Sequence, residues 1–197
     1  RHHFSSIADR LCLAGGLIES PYAVMLGDDE FHLPAGLSAS IRVLDNDQKL
    51  VGCMGQVLSF SPVGPYRRVV FARAYSSLGN CNIVHPDPAD RLIAAMSEYA
   101  PMTCYAVLRT PIWQKSWGAI GNWGSTHTLE LQQAMTVHLL GGVVTTDRIQ
   151  WLRSIETPPV RAVSNTREDK IWFPEWWEDV RFDAERMAFV DNLSETC

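Results

Sequence analysis

A short apolar run that ends abruptly in three acids is the feature that most constrains this chain. Residues Tyr22–Leu26 have the length and composition of a buried strand. Asp28, Asp29 and Glu30 follow after one glycine, so we expect them at the carboxyl end of that strand. In open α/β sheets this edge is where ligands bind. Because crowded carboxylates repel one another unless a cation or hydrogen-bond donors compensate, the boundary predicts a ligand site.

Carboxylate oxygens of this kind suit Mg²⁺ or Mn²⁺, which usually complete their shell with substrate phosphates. The alternative is that the acids cap the helix predicted to start at Pro34, or face water as solvated charge clusters commonly do. The acidic motif alone leaves both interpretations open.

Composition narrows the class of protein. The chain has 197 residues, which favours one domain with a single core, and its 46% hydrophobic and 20% charged residues are typical of soluble globular proteins. A net charge of −5 argues against nucleic-acid binding, and the one local basic cluster is Arg67-Arg68. No apolar run approaches the roughly 20 residues of a membrane span, and no signal-peptide pattern opens the chain.

The five cysteines are scattered and include no C-x-x-C pair, which is typical of reduced thiols and favours a cytoplasmic location. A zinc site built from Cys81, His85 and Cys104 is conceivable. Its spacing matches no zinc module, so buried small side chains are favoured instead.

Strands and helices alternate along the chain, which predicts the α/β class. The first residue is Arg1 and helical spacing begins almost at once, so we expect an excerpt of a longer protein. Helices are predicted over Ser5–Leu13, after Pro34, after Asp87-Pro88, after Thr110-Pro111 and over Thr128–Leu140. In the helix after Asp87-Pro88, the side chains of Leu92, Ile93 and Met96 are expected to face the core. Strands are predicted over Tyr22–Leu26, Leu50–Ser59, Val69–Ala72, Cys104–Leu108 and Val143–Leu152, with a turn at Ser61–Pro65.

The composition changes after Pro158-Pro159. Residues 160–171 are polar and of mixed charge, as in a linker, and Pro174 opens a final amphipathic helix that is expected to reach Leu193. We therefore divide the chain into residues 1–160 and a C-terminal part, 161–197. One helical stripe is expected to be buried on the domain or on a partner, and it consists of Trp177, Val180, Ala184 and Met187.

The acidic segment belongs to a longer pattern, which runs from Ser20-Pro21-Tyr22 to Asp28-Asp29-Glu30-Phe31-His32-Leu33-Pro34. This segment resembles the acidic motif of family-2-like, GT-A-type glycosyltransferases, and most of all a bacterial branch that carries Asp-Asp-Asp-Phe-x-x-Pro. Further features follow in the order of that branch, over roughly residues 4 to 160: Asp87–Leu92 ahead of Tyr105–Thr110, Leu129-Glu130-Leu131 opening a helix that ends at Gly141-Gly142, and the strand Val143–Arg153.

The resemblance implies a partial GT-A-like mixed sheet flanked by helices, followed by a C-terminal helix. It also implies that a nucleoside-cradling βαβ unit precedes residue 1, and the C-terminal helix is a candidate to contact that missing part. The implied activity is an inverting, metal-dependent transfer of a sugar, in polysaccharide biosynthesis. The donor is a nucleotide-sugar, and the acceptor is a hydroxyl of a saccharide or a lipid-linked saccharide.

The resemblance further implies that the acidic motif holds Mn²⁺ or Mg²⁺ against the donor diphosphate, where the metal neutralises the leaving phosphate. Asp29 and Glu30 are the implied metal ligands, and Asp28 is the implied contact to substrate. Glu30 departs from the aspartate usual in the family. Its longer side chain either binds the metal at a shifted position or contacts the metal ligands without touching the metal itself.

Glu130 is the candidate general base, because inverting transfer needs a carboxylate that takes a proton from the acceptor hydroxyl. The alternative is an acid placed early in a helix, where the macrodipole favours it. His127 is a candidate to hydrogen-bond the acceptor or the metal, or is a polar group at the helix start. His32 is a candidate to approach the metal, or is a loop residue. Arg153 is a candidate phosphate contact, or forms a structural salt bridge.

A glycine-containing loop, 118–124, is framed by tryptophans whose faces are suited to stack on sugar C–H groups. Core packing is favoured for Trp113, while core packing and sugar binding both stay open for Trp123. Trp117 belongs to the same group. Trp123 is retained as a candidate substrate contact.

Two other functions remain open on the sequence. Metal-dependent phosphoryl transfer or hydrolysis explains the acids equally well, although the chain has no phosphate-cradling glycine-rich loop with lysine. A non-catalytic nucleotide-sugar-binding module is the other alternative.

Overall fold

The computed structural model describes residues 7–64, 68–97, 99–100, 103–155, 171 and 173–196. Helices and strands alternate through most of this range. The helices are α1 (Ile7–Gly16), α2 (Pro34–Asn46), α3 (Pro88–Ser97), α4 (Thr110–Gly118), α5 (Thr126–Leu140), α6 (Phe173–Glu178) and α7 (Asp183–Ser194). The strands are β1 (Tyr22–Ala23), β2 (Phe31–His32), β3 (Leu50–Val63), β4 (Arg68–Ala74), β5 (Asn82–Ile83), β6 (Val107–Arg109) and β7 (Gly142–Ser154).

The strands form one mixed sheet in the order β1-β6-β3-β7-β2, with β4 paired to β3 and β5 paired to β7. The two long central strands, β3 and β7, run parallel, while the other pairs are antiparallel. The predicted α/β class is therefore confirmed as a mixed α/β fold. The buried first half of β3 is apolar or glycine throughout, as expected for a strand covered on both faces.

Helix starts follow the local signals in the sequence. Pro34 occupies the first turn of α2, and Leu44 on its inner face is fully buried. At the start of α3, Asp87 Oδ1 accepts hydrogen bonds from the backbone N–H groups of Ala89 at 2.7 Å and Asp90 at 3.3 Å. The predicted inner face of α3 is partly wrong. Ile93 is 68% exposed, and the buried positions are instead those of Arg91 and Ala95.

Two arginines close helix C-termini, where unpaired carbonyl groups attract a cation. Arg109 donates to the carbonyl oxygens of Leu44 at 2.6 Å and Asp47 at 3.2 Å, at the end of α2. Arg91 donates to those of His138 and Leu139, both at 2.7 Å, at the end of α5. These contacts bind α2 to β6 and α3 to α5.

Several predicted strand bounds are wrong, because a strand is only as long as its partner allows. The predicted strand at 22–26 is reduced to Tyr22–Ala23, which pairs with Arg109 and Leu108 at the edge of the sheet. The strand predicted at 104–108 starts at Val107 and is three residues long. Conversely, β3 continues into the predicted turn as far as Val63, since β4 pairs with it to that point, and Gly64 is a turn residue as predicted.

The predicted C-terminal helix is broken at Asp179, whose side chain accepts from the backbone N–H of Arg181 in a short 3₁₀ turn. The break shifts the helical phase, so the predicted stripe is not buried on this domain: Trp177, Val180 and Met187 are 44%, 76% and 69% exposed, and Ala184 is exposed too. Burial of the stripe on a partner stays a prediction. Trp176 and Phe189 are buried instead. The predicted linker lies almost entirely outside the described residues. Within the described part of the chain, no helix combines the length and apolarity needed to cross a membrane.

Gly36 provides a test of how closely α2 packs on β7. A Cβ atom at this position would lie 2.4 Å from the Gln150 Cα atom and from the Ile149 carbonyl oxygen, both of which are backbone. We therefore expect Gly36→Ala to lower the free energy of unfolding by about 1–3 kcal/mol, although alanine normally favours a helix. Urea denaturation measures the change. Gly16→Ala is the control, since a Cβ there meets no atom within 4 Å, and a similar loss in both variants would contradict the packing explanation.

Candidate functional site

The acidic loop connects β1 to β2 and is held by the sheet. Strand β2 pairs with β7, which places His32 opposite Trp151. His32 Nε2 lies 2.9 Å from the carbonyl oxygen of Met25, and since a carbonyl only accepts, Nε2 carries the proton in this bond. This bond ties β2 back to the start of the loop. Asp28 and Asp29 form an exposed turn beyond it.

Glu30 turns toward the sheet and is half-buried. Trp151 donates its indole N–H to Glu30 Oε2 at 3.0 Å, and the backbone of Gly27 also hydrogen-bonds the carboxylate. Burial raises the pKa of Glu30, and the charge of Asp29 raises it further. The hydrogen bonds and the guanidinium of Arg153 oppose this effect without overcoming it, so Glu30 titrates above its ordinary pKa of 4.5.

An aromatic cluster surrounds Trp151, which is only 1% exposed. Tyr105 stacks on Trp151 with ring centroids 3.9 Å apart, and Tyr75 is nearly parallel to it at 6.0 Å. The guanidinium of Arg153 lies 5.2 Å from the centre of the Tyr75 ring. Both tyrosines are half-buried, so the cluster joins the core to the surface.

Tyr75 has a strained backbone. Its φ of 50° and ψ of 60° are left-handed, and it is the one non-glycine residue with positive φ in the described segments. For a bulky residue this conformation persists only where the surrounding structure enforces it, and such residues concentrate at functional sites. In this conformation the tyrosine ring lies beside Trp151 and Arg153.

Glu130 approaches the same aromatic cluster from α5. The hydroxyl of Tyr99 donates to Glu130 Oε1 at 2.6 Å. Burial raises the pKa of both Tyr75 and Tyr105, and the charges of Glu30 and Glu130 both raise these two pKa values further. For Tyr75, the guanidinium of Arg153 opposes these effects and lowers the pKa.

The raised pKa of Glu30 predicts a pH-dependent stability. Because the folded state holds the Glu30 proton more tightly than the unfolded chain does, this group destabilises the fold as pH rises from 4.5 through its folded pKa. Relative to the original protein, Glu30→Gln is expected to gain stability over that window, since glutamine does not titrate. Urea denaturation at several pH values measures the difference. Parallel stability curves for the two proteins would show that the pKa of Glu30 is not raised by folding.

Other residues predicted from the sequence lie elsewhere or on the margin of this cluster. His127 is half-buried in the first turn of α5, three residues before Glu130. The indole N–H of Trp123 donates to Gln132 at 2.7 Å, and its ring packs edge-on against Trp176 and Phe189. Trp123 thus joins the C-terminal helices to α5, and the contacts observed for it do not link it to Glu30 or Glu130.

The remaining two tryptophans of the predicted sugar platform, Trp113 and Trp117, are 4% and 5% exposed and pack against each other in the core. These two tryptophans are therefore core residues, which was one of the two interpretations of this group. The half-buried aromatic rings near Glu30 are those of Tyr75 and Tyr105 instead.

The carboxylate oxygens at the acidic loop suit a cation that also takes some of its ligands from a substrate. Across the described residues, no three or more His, Cys, Asp or Glu side chains form a ready-made metal cage, and this includes Cys81, His85 and Cys104. Mg²⁺ is usually held by one or two carboxylates plus substrate phosphates, so such a cage is not required. The exposed Asp28 and Asp29 beside Glu30 fit this second arrangement.

Four aromatic residues near Glu30 and Glu130 were not predicted from the sequence. Tyr75, Tyr105 and Trp151 form the aromatic cluster, and Tyr99 hydrogen-bonds Glu130. Each is an aromatic residue within or beside a predicted element, where core packing is the usual explanation. The one local signal was that Tyr105 and Trp151 lie within segments predicted as strands that flank the candidate helix of Glu130.

Comparison with known proteins adds no assignment. No family model matches the chain, and no curated protein matches it significantly.

Proposed function

We propose that this chain is the metal- and acceptor-side part of an inverting glycosyltransferase with a GT-A-like fold. It moves a sugar from a nucleotide-sugar to a hydroxyl group. The observation that carries the proposal is that Trp151 binds Glu30 and lies against the rings of Tyr75 and Tyr105. The charge of Glu130 raises the pKa of the same two tyrosines. One carboxylate comes from the acidic motif and the other from the helix where the resemblance expects the base.

Glu130 is the proposed general base. A carboxylate takes the proton of an acceptor hydroxyl efficiently only if it is held in place. The hydrogen bond from Tyr99 holds one oxygen of Glu130 and leaves the other to accept the proton. His127 lies one helical turn away and is the second candidate for this task.

Asp29 and Glu30 would hold Mn²⁺ or Mg²⁺, with Asp28 beside them for substrate. When bound, the cation supplies Lewis-acid stabilisation of the leaving diphosphate. Arg153 adds positive charge near Glu30, and its stacking on Tyr75 orients the guanidinium. The half-buried rings of Tyr75 and Tyr105 offer faces suited to sugar C–H groups.

The direct test is a thermal shift assay of the full-length protein, which includes the expected nucleoside-binding part, with a panel of nucleoside diphosphates, with and without Mn²⁺. A ligand that binds only the folded state raises the melting temperature. The proposal expects stabilisation by at least one nucleoside diphosphate, and only when the metal is present. Equal stabilisation without metal, or none with any member of the panel, would contradict it.

Asp29→Asn tests the metal ligand in the same assay. The amide keeps the size of the side chain and removes the charge that a hard cation prefers, so the Mn²⁺-dependent affinity for diphosphate is expected to fall by at least about 10–100-fold. Asp147→Asn is the matched control, because Asp147 is an exposed acid paired only distantly with Arg148, at 3.7 Å. The assignment is wrong if the two variants bind alike.

A further inference from the structure

One face of the hairpin formed by β3 and β4 carries a row of phenylalanines. Because side chains alternate along a strand, Val69 and Phe71 lie on one face of β4 and Val70 lies on the other. Phe71 pairs with Phe60 of β3, with ring centroids 6.5 Å apart, and Phe60 lies 5.7 Å from Phe31 of β2. We call this surface, made of Phe31, Phe60, Val69 and Phe71, the phenylalanine face.

The phenylalanine face is open to solvent. Phe31, Val69 and Phe71 are 57%, 47% and 53% exposed, and Phe60 is half-buried. Every residue of β4 except the last, Ala74, is exposed. Single exposed apolar residues are ordinary, but neighbouring ones that form a continuous surface indicate an interaction site.

The charge around this face is positive. Between Asp47 and Asp87 the sequence contains no aspartate or glutamate, although the chain has 22 of these residues and a net charge of −5. This is the longest acid-free stretch of the sequence. Arg68 and Arg73 lie on β4 on either side of the apolar residues, and both are exposed. The phenylalanine face is therefore flanked by cations in an otherwise acidic protein.

An anionic lipid surface matches both the apolarity and the charge. Apolar side chains enter the boundary between lipid headgroups and acyl chains, and arginines beside them contact the lipid phosphates. A second copy of this chain matches less well, because Arg68 and Arg73 of the two faces would repel one another. A nucleic acid also matches less well, since its affinity comes from many phosphate contacts and two arginines supply few.

The acidic loop restricts how a lipid surface can be bound. Asp28 and Asp29 are exposed and precede Phe31, so their charges repel anionic lipid at that end of the face. The end formed by β4 is therefore the one that contacts lipid. The bilayer core offers no partners to backbone N–H and C=O groups, so β4 lies along the headgroup boundary and does not cross it.

We infer that the phenylalanine face binds an anionic membrane surface. Val69 and Phe71 enter the boundary between headgroups and acyl chains, and Arg68 contacts lipid phosphates. The inference does not rest on the transferase proposal, because it involves neither the carboxylates nor a sugar donor.

Co-sedimentation of the full-length protein with lipid vesicles tests the inference, without donor or metal. Vesicles of phosphatidylcholine and phosphatidylglycerol, in a ratio of about 3:1, are expected to bind at least about tenfold more tightly than vesicles of phosphatidylcholine alone. The difference is expected to shrink in about 0.5 M NaCl, because salt screens the arginines. No binding to the anionic vesicles, or equal binding to both kinds, would overturn the inference.

Two matched variants locate the contact. Phe71→Ser is expected to weaken binding to anionic vesicles at least about tenfold, because it removes an apolar ring from the lipid boundary. Val70→Ser is the control: Val70 is also 53% exposed but lies on the opposite face of the same strand, and its affinity is expected to change less than about twofold. Equal affinities of the two variants would overturn the location. If Phe71→Ser instead converted a dimer to monomers without changing vesicle binding, the face would be a contact between copies and the inference would be wrong.

Arg68→Gln tests the charge without altering the apolar face. It is expected to weaken binding to anionic vesicles about fivefold, the usual contribution of one basic residue near such a surface, and to leave binding to neutral vesicles unchanged. An unchanged affinity for anionic vesicles would remove the lipid phosphate contact from the inference. Circular dichroism of each variant checks that the fold is retained.

Discussion

Replacing Trp151 with alanine is expected to lower the free energy of unfolding by about 3–5 kcal/mol, the usual cost of removing a fully buried aromatic side chain. Trp151 is 1% exposed and stacks on Tyr105 at 3.9 Å. Its loss also removes the indole donor from the half-buried carboxylate of Glu30. Guanidinium denaturation followed by far-ultraviolet circular dichroism measures the change. Trp177→Ala is the control and is expected to cost less than about 1 kcal/mol, since Trp177 is 44% exposed.

Trp151→Phe separates the stacking from the hydrogen bond. Phenylalanine preserves an aromatic face but donates no N–H group to Glu30, and a hydrogen bond to a charged partner contributes about 1.5–3 kcal/mol. The cost of this variant is expected to shrink as pH falls below the folded pKa of Glu30, because a neutral carboxyl group needs the donor less. A cost that does not change with pH would mean that the indole N–H contributes little to holding Glu30.

Glu130→Gln is expected to reduce turnover by about 10²-fold or more while leaving donor affinity nearly unchanged. Glutamine keeps the size of the side chain and can still accept the hydrogen bond from Tyr99, but it cannot take a proton from an acceptor hydroxyl. Turnover is measured as release of nucleoside diphosphate from the donor whose diphosphate stabilises the protein. Affinity is measured by titration of that diphosphate in the presence of Mn²⁺.

Glu178→Gln makes the same chemical change at an exposed position on α6 and is expected to leave turnover unchanged. Normal turnover in Glu130→Gln would remove this residue from the proposed mechanism. His127, one helical turn earlier on α5, would then be the first replacement to test.

The geometry of the candidate site could be predicted from the sequence less well than the secondary structure could. The acidic segment made Glu30 a candidate and the helix position made Glu130 a candidate, but the side chains that hydrogen-bond them are remote in sequence. Trp151 lies 121 positions from Glu30, and Tyr99 lies 31 positions from Glu130. No local pattern encodes such a pair, because it depends on the register of β2 against β7 and on the packing of α5.

The sequence by itself determined the α/β class and the starts of several helices. Pro34, Asp87-Pro88 and Thr110-Pro111 mark α2, α3 and α4, because caps and first-turn prolines act through groups within a few residues. The tertiary structure decided which strands extend and which faces are buried. β1 stops opposite Leu108, near the start of its three-residue antiparallel partner β6. The C-terminal helix is interrupted at Asp179, which changes the residues that face the domain. Pairing and burial depend on distant partners, so only the folded chain specifies them.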